Sequence, residues 1–307
     1  MKICILGSRE KKPQDLWLLE EAKKRFDKVT YAQIPDVRIQ DGEPLLLKGT
    51  PLSSYDIVFP RIPRTYRNYG YVICKLLEGR TYMPITPESI IVTHDKFLTL
   101  LKLEKAGIPT PLSYLSSTVK GMKPILKNMK YPVVIKLLQG SLGKGVMFAE
   151  SPSSALPILD TIEGMKQPIM LEEFVGTPGE DIRALVIGHE VAASMKRVAE
   201  KGERRANIGA GGTGRKIRLS QEMTKIAIRS AKALGLGIAG IDIIEGKKGP
   251  VVIEANVNVH FEGITHATET NVAALMMDYV RHEAEISKKD RLIAPIFKAV
   301  EEMAWGR

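Results

Sequence analysis

Asp242 sits inside the apolar run Ile241-Asp-Ile-Ile244, and Glu254 and Asn256 stand two apart in Val252-Ile-Glu-Ala-Asn256. Alternate residues of a strand share a face, and a hairpin between the two runs would gather all three side chains. Two carboxylates and an amide oxygen are hard donors that suit magnesium, an ion usually held together with nucleotide phosphates. The competing reading has Asp242 and Glu254 capping or pairing with neighbouring basic residues. Three acceptors in apolar strands are costly to bury without partners, so metal ligation is the stronger reading.

Lys136 lies in Pro132-Val-Val-Ile-Lys-Leu-Leu138, where a lysine is rarely buried unpaired. The run leads into Gln139-Gly-Ser-Leu-Gly-Lys-Gly145, whose glycines and serine let backbone N–H groups approach a phosphate closely. It is not a Walker A loop: no Ser or Thr follows Lys144, and the apolar run 146–149 comes next in place of a helix. Alone it reads as a hairpin turn. With Lys136 beside it, an ammonium reaching phosphates just beyond the loop competes with a lysine on a solvated strand face. Asp181 and Arg183 also share a face, as an ion pair worth little at a surface or as ligand contacts. Arg204, Arg205 and Asn207 precede a glycine-rich stretch at 209–214, and a guanidinium there suits a bidentate carboxylate contact. No Ser/His/Asp or Cys/His set stands out, and His94, His189, His260, His266 and His282 lack zinc-type spacing. His189 is expected in a turn. His260 and His266 fit a surface loop at least as well as a site wall.

These side chains need strands to carry them. Residues 2–7, 28–32 and 56–60 read as strands and 14–25 and 68–78 as helices, an alternation that predicts a parallel sheet. A boundary is expected near 83–87. Beyond it, helices are predicted at 89–106, 118–128, 221–234, 268–282 and 294–303. Strands are predicted at 112–115, 131–138, 146–149, 169–175, 182–187, 191–198, 238–244 and 250–257, in mixed or antiparallel sheets. The 307 residues are 44% hydrophobic and 26% charged, the composition of a globular chain of two domains or three small ones. No apolar run is long enough to span a membrane, and the opening residues lack a signal-peptide core. Cys4 and Cys74 are the only cysteines, which favours an intracellular, cytoplasmic home over a disulfide scaffold. The net charge of +10 gathers at 61–80 and 196–218 and favours acidic partners.

His94-Asp-Lys96, the loop 139–145, Leu171-Glu-Glu-Phe-Val175, Asp181-Ile-Arg183, Arg205-Ala-Asn207, Ala239-Gly-Ile-Asp242 and Glu254-Ala-Asn256 follow one another over about residues 87–279. In that order and spacing the chain resembles the ATP-grasp ligases, specifically the RimK-type glutamate ligases. The resemblance implies an α/β (α+β) ATP-grasp fold: a small N-terminal α/β domain at 1–86, a central subdomain with the glycine-rich lid at 87–170, and a C-terminal subdomain with the metal site at 171–307. It also implies roles. Lys96 and Lys136 contact the ATP phosphates, and Gly140, Ser141, Gly143 and Gly145 fold over them. Glu173, Phe174 and Val175 form the adenine hinge, and Asp181 lies near the ribose. Arg205 and Asn207 face the nucleotide or the acyl phosphate. Asp242, Glu254 and Asn256 hold two magnesium or manganese ions. Arg183, Lys136 and Arg205 are the expected catalytic groups.

The implied reaction begins with a carboxylate, a poor electrophile, which takes the γ-phosphoryl group of ATP to become an acyl phosphate. Catalysis of that step is mostly positioning and charge neutralisation, here by Lys96, Lys136 and the metal. An amine then attacks and phosphate leaves, with Arg183 stabilising the oxyanion and the lid excluding water. The resemblance makes L-glutamate the added group and an acidic molecule its acceptor. RimK-type enzymes usually continue after Glu-x-Asn with a Ser-Pro-Gly-like turn, whereas this chain has Val257-Asn-Val-His260-Phe-Glu-Gly263. That change, with Tyr66, Tyr69 and Tyr71 in the basic segment 61–80, favours a small coenzyme acceptor and a place in coenzyme biosynthesis. Tetrahydromethanopterin comes first, ahead of a deazaflavin coenzyme, a ribosomal protein C-terminus or an amino-group carrier protein. A nucleic-acid-binding protein is the alternative that the charge suggests, but no such motif occurs. An inactive ATP-binding regulator is disfavoured by the intact metal set. Relatives point to a homodimer or homotetramer.

Overall fold

The computed structural model describes residues 1–138, 145–200, 202–204 and 211–305, from 291 onward by backbone alone. The chain divides into two compact units, Met1–Pro87 with Asn271–Arg307, and Glu88–Thr270. The first opens with β1 (Lys2–Gly7), α1 (Pro13–Lys23), β2 (Lys28–Gln33), the hairpin of β3 (Arg38–Gln40) and β4 (Glu43–Leu45), β5 (Ile57–Pro60) and α2 (Arg67–Leu77). β1 is the middle strand of a parallel sheet in the order β2-β1-β5, and Ile3 to Leu6 are fully buried. A strand buried on both faces reads as a continuous apolar run rather than an alternating one, which is why this one was easy to recognise.

The basic stretch 61–80 is largely spoken for within this unit. Arg61 is buried and donates to Asp15 at 3.1 Å. Lys75 pairs with Glu78 at 2.6 Å, and Arg80 with Glu43. The Tyr69 hydroxyl donates to the Val37 carbonyl.

The second unit carries α3 (Pro87–Thr93), α4 (Lys96–Lys105), β6 (Ser113–Ser116), α5 (Val119–Asn128), β7 (Val133–Leu137), β8 (Val146–Ala149), α6 (Pro152–Gly164), β9 (Ile169–Glu173), β10 (Glu180–Ile187), β11 (Glu190–Val198), β12 (Thr213–Lys216), α7 (Gln221–Leu234), β13 (Ile238–Gly246), β14 (Gly249–Asn256) and α8 (Glu262–Thr268). Two antiparallel sheets result, β6-β9-β7-β8 and β12-β11-β10-β13-β14. α5 and α6 back the first, burying Met122, Leu126, Leu159 and Ile162 against Val133, Ile135 and Leu171. α7 covers β10, β11, β13 and β14 with Met223, Ile226, Ala227 and Leu234. Each sheet thus has one face sealed by helices, so its polar side chains belong on the other.

Several elements differ from expectation. The single helix predicted over 89–106 is two, because Asp95 caps a new start by accepting the Leu98 N–H at 3.0 Å; Lys96 therefore opens α4. α6 begins at a Ser151 cap followed by Pro152, good start chemistry that was not read from the sequence. The helices predicted at 268–282 and 294–303 are one 34-residue helix, α9 (Val272–Trp305), which packs on α1 of the first unit. The chain from Asn271 onward is thus grouped with the N-terminal segment, whereas the sequence reading placed it with the metal strands. His189 lies in the β10–β11 turn.

α7 ends on Gly235, which sits at φ 75°, in the left-handed region that a side chain resists. Gly235→Ala should lower stability by about 1 kcal/mol, seen as a lower urea midpoint with an unchanged m-value.

Candidate active site

β9 belongs to the first sheet of the second unit and β10 to the second, so residues 174–179 form a hinge between the two sheets. A cleft opens beside it. Val134, Val146 and Phe148 line it from the first sheet, Ile244 and Ile253 from the second, and Phe174 and Val175 from the hinge. Phe148 and Phe174 meet edge to face, 6.1 Å between ring centres. The Arg204 guanidinium lies 5.5 Å from the Phe148 ring centre and pairs with Glu150. Apolar walls from two sheets make a slot suited to a flat aromatic ring.

Charged side chains complete the cleft. Lys136 and Glu172 stand on adjacent strands, and their Nζ and Oε2 are 2.5 Å apart, with Glu172 only 2% exposed. Lys96 reaches Glu254 at 3.0 Å. On the second sheet, register sets Arg183 opposite Asp242 and Asp242 opposite Glu254, a row across β10, β13 and β14. Antiparallel partners share a face, so the row lies on the face that α7 leaves free. Arg183 grips Asp242 through Nε and Nη2, both at 2.7 Å. Arg197, opposite Asp181 on β11, holds Asp181 with two bonds of 2.5 and 2.7 Å and reaches Asp242 at 2.9 Å.

Burial by itself would favour a neutral Asp242. Arg183 and Arg197 outweigh it and hold the carboxyl at about 2, so the residue is an anion at any working pH. Glu254 follows the same logic: burial opposes its charge, Lys96 favours it, and the carboxyl falls below its usual range. Burial raises Asp181 against the pull of Arg197. Arg197 lies above its ordinary value although burial lowers it, because Asp242 and Asp181 both act on it.

Asp242, Glu254 and Asn256 do come to one face, as strand alternation predicts. The Asn256 amide nitrogen is buried with no hydrogen-bond partner among the described residues. That nitrogen is a hydrogen-bond donor and does not ligate a cation; the Asn256 amide oxygen and the two ionised carboxylates are the hard oxygen donors that a divalent cation requires. The set fits magnesium. Lys96, Lys136, Phe174, Val175, Asp181 and Glu254 all line the cleft. Glu173 lines it too, while its carboxylate accepts the Leu112 N–H at 3.0 Å. Gly145 closes the loop with φ 81°. Gly140, Ser141, Gly143, Arg205 and Asn207 lie outside the described residues. Sequence reasoning missed Phe148, Glu172 and Arg197. For Glu172 there was a signal, since an apolar strand that contains a lysine calls for an acid on its neighbour.

Comparison with known proteins agrees with this architecture. Residues 93–280 match the RimK-like ATP-grasp domain. The "Probable alpha-L-glutamate ligase" of Coxiella burnetii is 32% identical over 291 residues, 93% of this chain and 97% of that one. Its namesake in Methanococcoides burtonii is 33% identical over 298 residues, 94% and 98% of the two chains. The crystal structure of a RimK domain ATP-grasp protein from Sphaerobacter thermophilus shares the fold, with a TM-score of 0.71 at 18% identity over 91% and 99% of the chains. With these relatives, the two sheets hinged beside a cleft define an ATP-grasp enzyme, an ADP-forming ligase. The chain belongs to the RimK-like ATP-grasp family.

Lys136→Met would strand the Glu172 carboxylate in the interior and should cost about 3–5 kcal/mol in chemical denaturation. Adding Glu172→Leu removes the orphaned charge and should recover most of that loss. Neither variant should regain ATP binding, which separates the stability role of the pair from its ligand role.

Proposed function

We propose that this ligase adds L-glutamate to an acidic acceptor, with tetrahydromethanopterin the first candidate. The acceptor carboxylate takes the γ-phosphoryl group of ATP, releasing ADP. The glutamate amine attacks the acyl carbon, phosphate departs with the acyl C–O electron pair, and the amine loses its proton. The observation that carries this reading is the meeting of a flat apolar slot with Lys96 and Lys136 in one cleft, beside the Arg183–Asp242 row. The slot suits adenine. The Oε1 of Glu172 is buried without a partner among the described residues, and the exocyclic amine of adenine is the donor it lacks. The two lysines suit the phosphates, and Arg183 suits the oxyanion of the acyl step. Asp242, Glu254 and Asn256 would hold magnesium or manganese, two ions in the full reading, whose contribution is to neutralise phosphate charge. The relatives' names support glutamate as the added group, and the Val257-Asn-Val turn after the metal strand supports an altered acceptor pocket.

Mass spectrometry of reactions with ATP, magnesium and L-glutamate tests this directly. Tetrahydromethanopterin, a deazaflavin coenzyme and a glutamate-ended peptide are offered separately. A glutamyl mass gain is expected on tetrahydromethanopterin; a gain only on another acceptor reassigns the pocket, and none on any removes the glutamate reading. GTP carries a carbonyl where adenine has its amine, opposite in polarity to what Glu172 needs. It should support the reaction at least about 100-fold less well in kcat/KM.

A further inference from the structure

Arg197 is absent from the cleft lining and is 3% exposed, yet it is the most heavily engaged cation near the site. Its Nε and Nη2 hold both oxygens of Asp181, and Nη2 also reaches Oδ2 of Asp242. Arg183 takes one oxygen of Asp242 with each of its own nitrogens. The two oxygens of Asp242 are therefore unequal. Oδ2 contacts two guanidinium groups, whereas Oδ1, among the described residues, accepts from Arg183 alone and retains acceptor capacity.

That inequality has a mechanistic use. Arg183 lies at the end of the row and is the group expected to meet the reacting acyl phosphate. To do so it must loosen its grip on Asp242. With Arg183 as its sole partner, Asp242 would become a buried unpaired charge each time, a costly state. Arg197 removes that obstacle, because Oδ2 stays paired and the carboxylate keeps its orientation. A lysine could supply the charge but not the fork that reaches two carboxylates at once.

We propose that Arg197 is a positioning residue, anchored by Asp181, that fixes Asp242 through Oδ2 so that Oδ1 is presented to the metal and Arg183 is free to serve substrate. This rests on the reading of the cleft as a metal–nucleotide site. Partners that orient a metal ligand typically change metal affinity by about 10–100-fold when removed.

The test is Mn²⁺ uptake in the presence of ADP, followed by the loss of the free-ion EPR signal, on the full chain and on Arg197→Lys and Arg197→Met. Thermal unfolding is recorded alongside. Arg197→Lys is expected to unfold within a few degrees of wild type and to bind Mn²⁺ at least about 10-fold more weakly. A merely structural role would lower the unfolding temperature and leave the metal affinity of the folded fraction unchanged. Unchanged Mn²⁺ affinity in folded Arg197→Lys overturns the proposal, even where Arg197→Met fails to fold. Failure of the wild-type chain to take up Mn²⁺ with ADP would instead remove the metal–nucleotide reading, and this proposal with it.

Discussion

Asp242 is 2% exposed and ionised, and an anion so deeply placed persists only where cations surround it. Much of the second unit can be understood from that demand. β10 must run between β11 and β13, since only that order brings Arg183 directly opposite Asp242 and sets Arg197 within reach of both Asp242 and Asp181. α7 must seal the other face of the sheet, because the face with the charges cannot also supply a hydrophobic core. Buried ion pairs are weak evidence for stability, and apolar residues of similar size often serve a fold as well or better. Their concentration on one face is therefore better explained by what that face handles than by what holds it together.

The same constraint explains what could be read from the sequence and what could not. Asp242, Glu254 and Asn256 were legible because each breaks an apolar run at strand spacing and the short turn 245–249 implies a hairpin. Lys136 was legible for the same reason. Their partners were not. Which residue of β11 faces Asp181 depends on register, and a slip of one residue would turn Arg197 to the opposite face. The register irregularity between Asp242 and Ile243 shows how little local sequence fixes it. The partners of the basic segment 61–80 were hidden for a related reason, since Asp15 and Glu43, which pair with Arg61 and Arg80, lie far off in sequence.

Helix boundaries failed on different grounds. Apolar residues flank the polar run Thr93-His-Asp-Lys96 on both sides, and reading one helix over 89–106 passed over the Asp95 cap that divides α3 from α4. The polar stretch around Glu283, Glu285, Lys288 and Lys289 resembled a break, yet it lies within the continuous α9, where Arg281 and Glu285 pair one turn apart. Periodicity identifies a helix by the face that packs. It says little about a helix whose apolar stripe thins out, or about a junction where two stripes happen to align.

The charges around the cleft balance closely. Among the described residues, Lys96, Lys136 and Arg183, cations suited to phosphate or oxyanion contacts, each rest on a carboxylate: Glu254, Glu172 and Asp242. Two of these acids are also the expected metal ligands. A triphosphate entering alone would draw Lys96 and Arg183 away, leaving Glu254 without Lys96 and Asp242 with Arg197 alone. A divalent cation entering alone would compete with Lys96 and Arg183 for the same oxygens. Were they to arrive together, the carboxylates would turn to the metal and the cations to the phosphates, so that each charge would keep a partner. Metal and nucleotide should thus favour one another's binding through the protein as well as through their direct contact. Arg197, tied to Asp242 and to Asp181 of the cleft wall, would be the fixed point about which that exchange occurs.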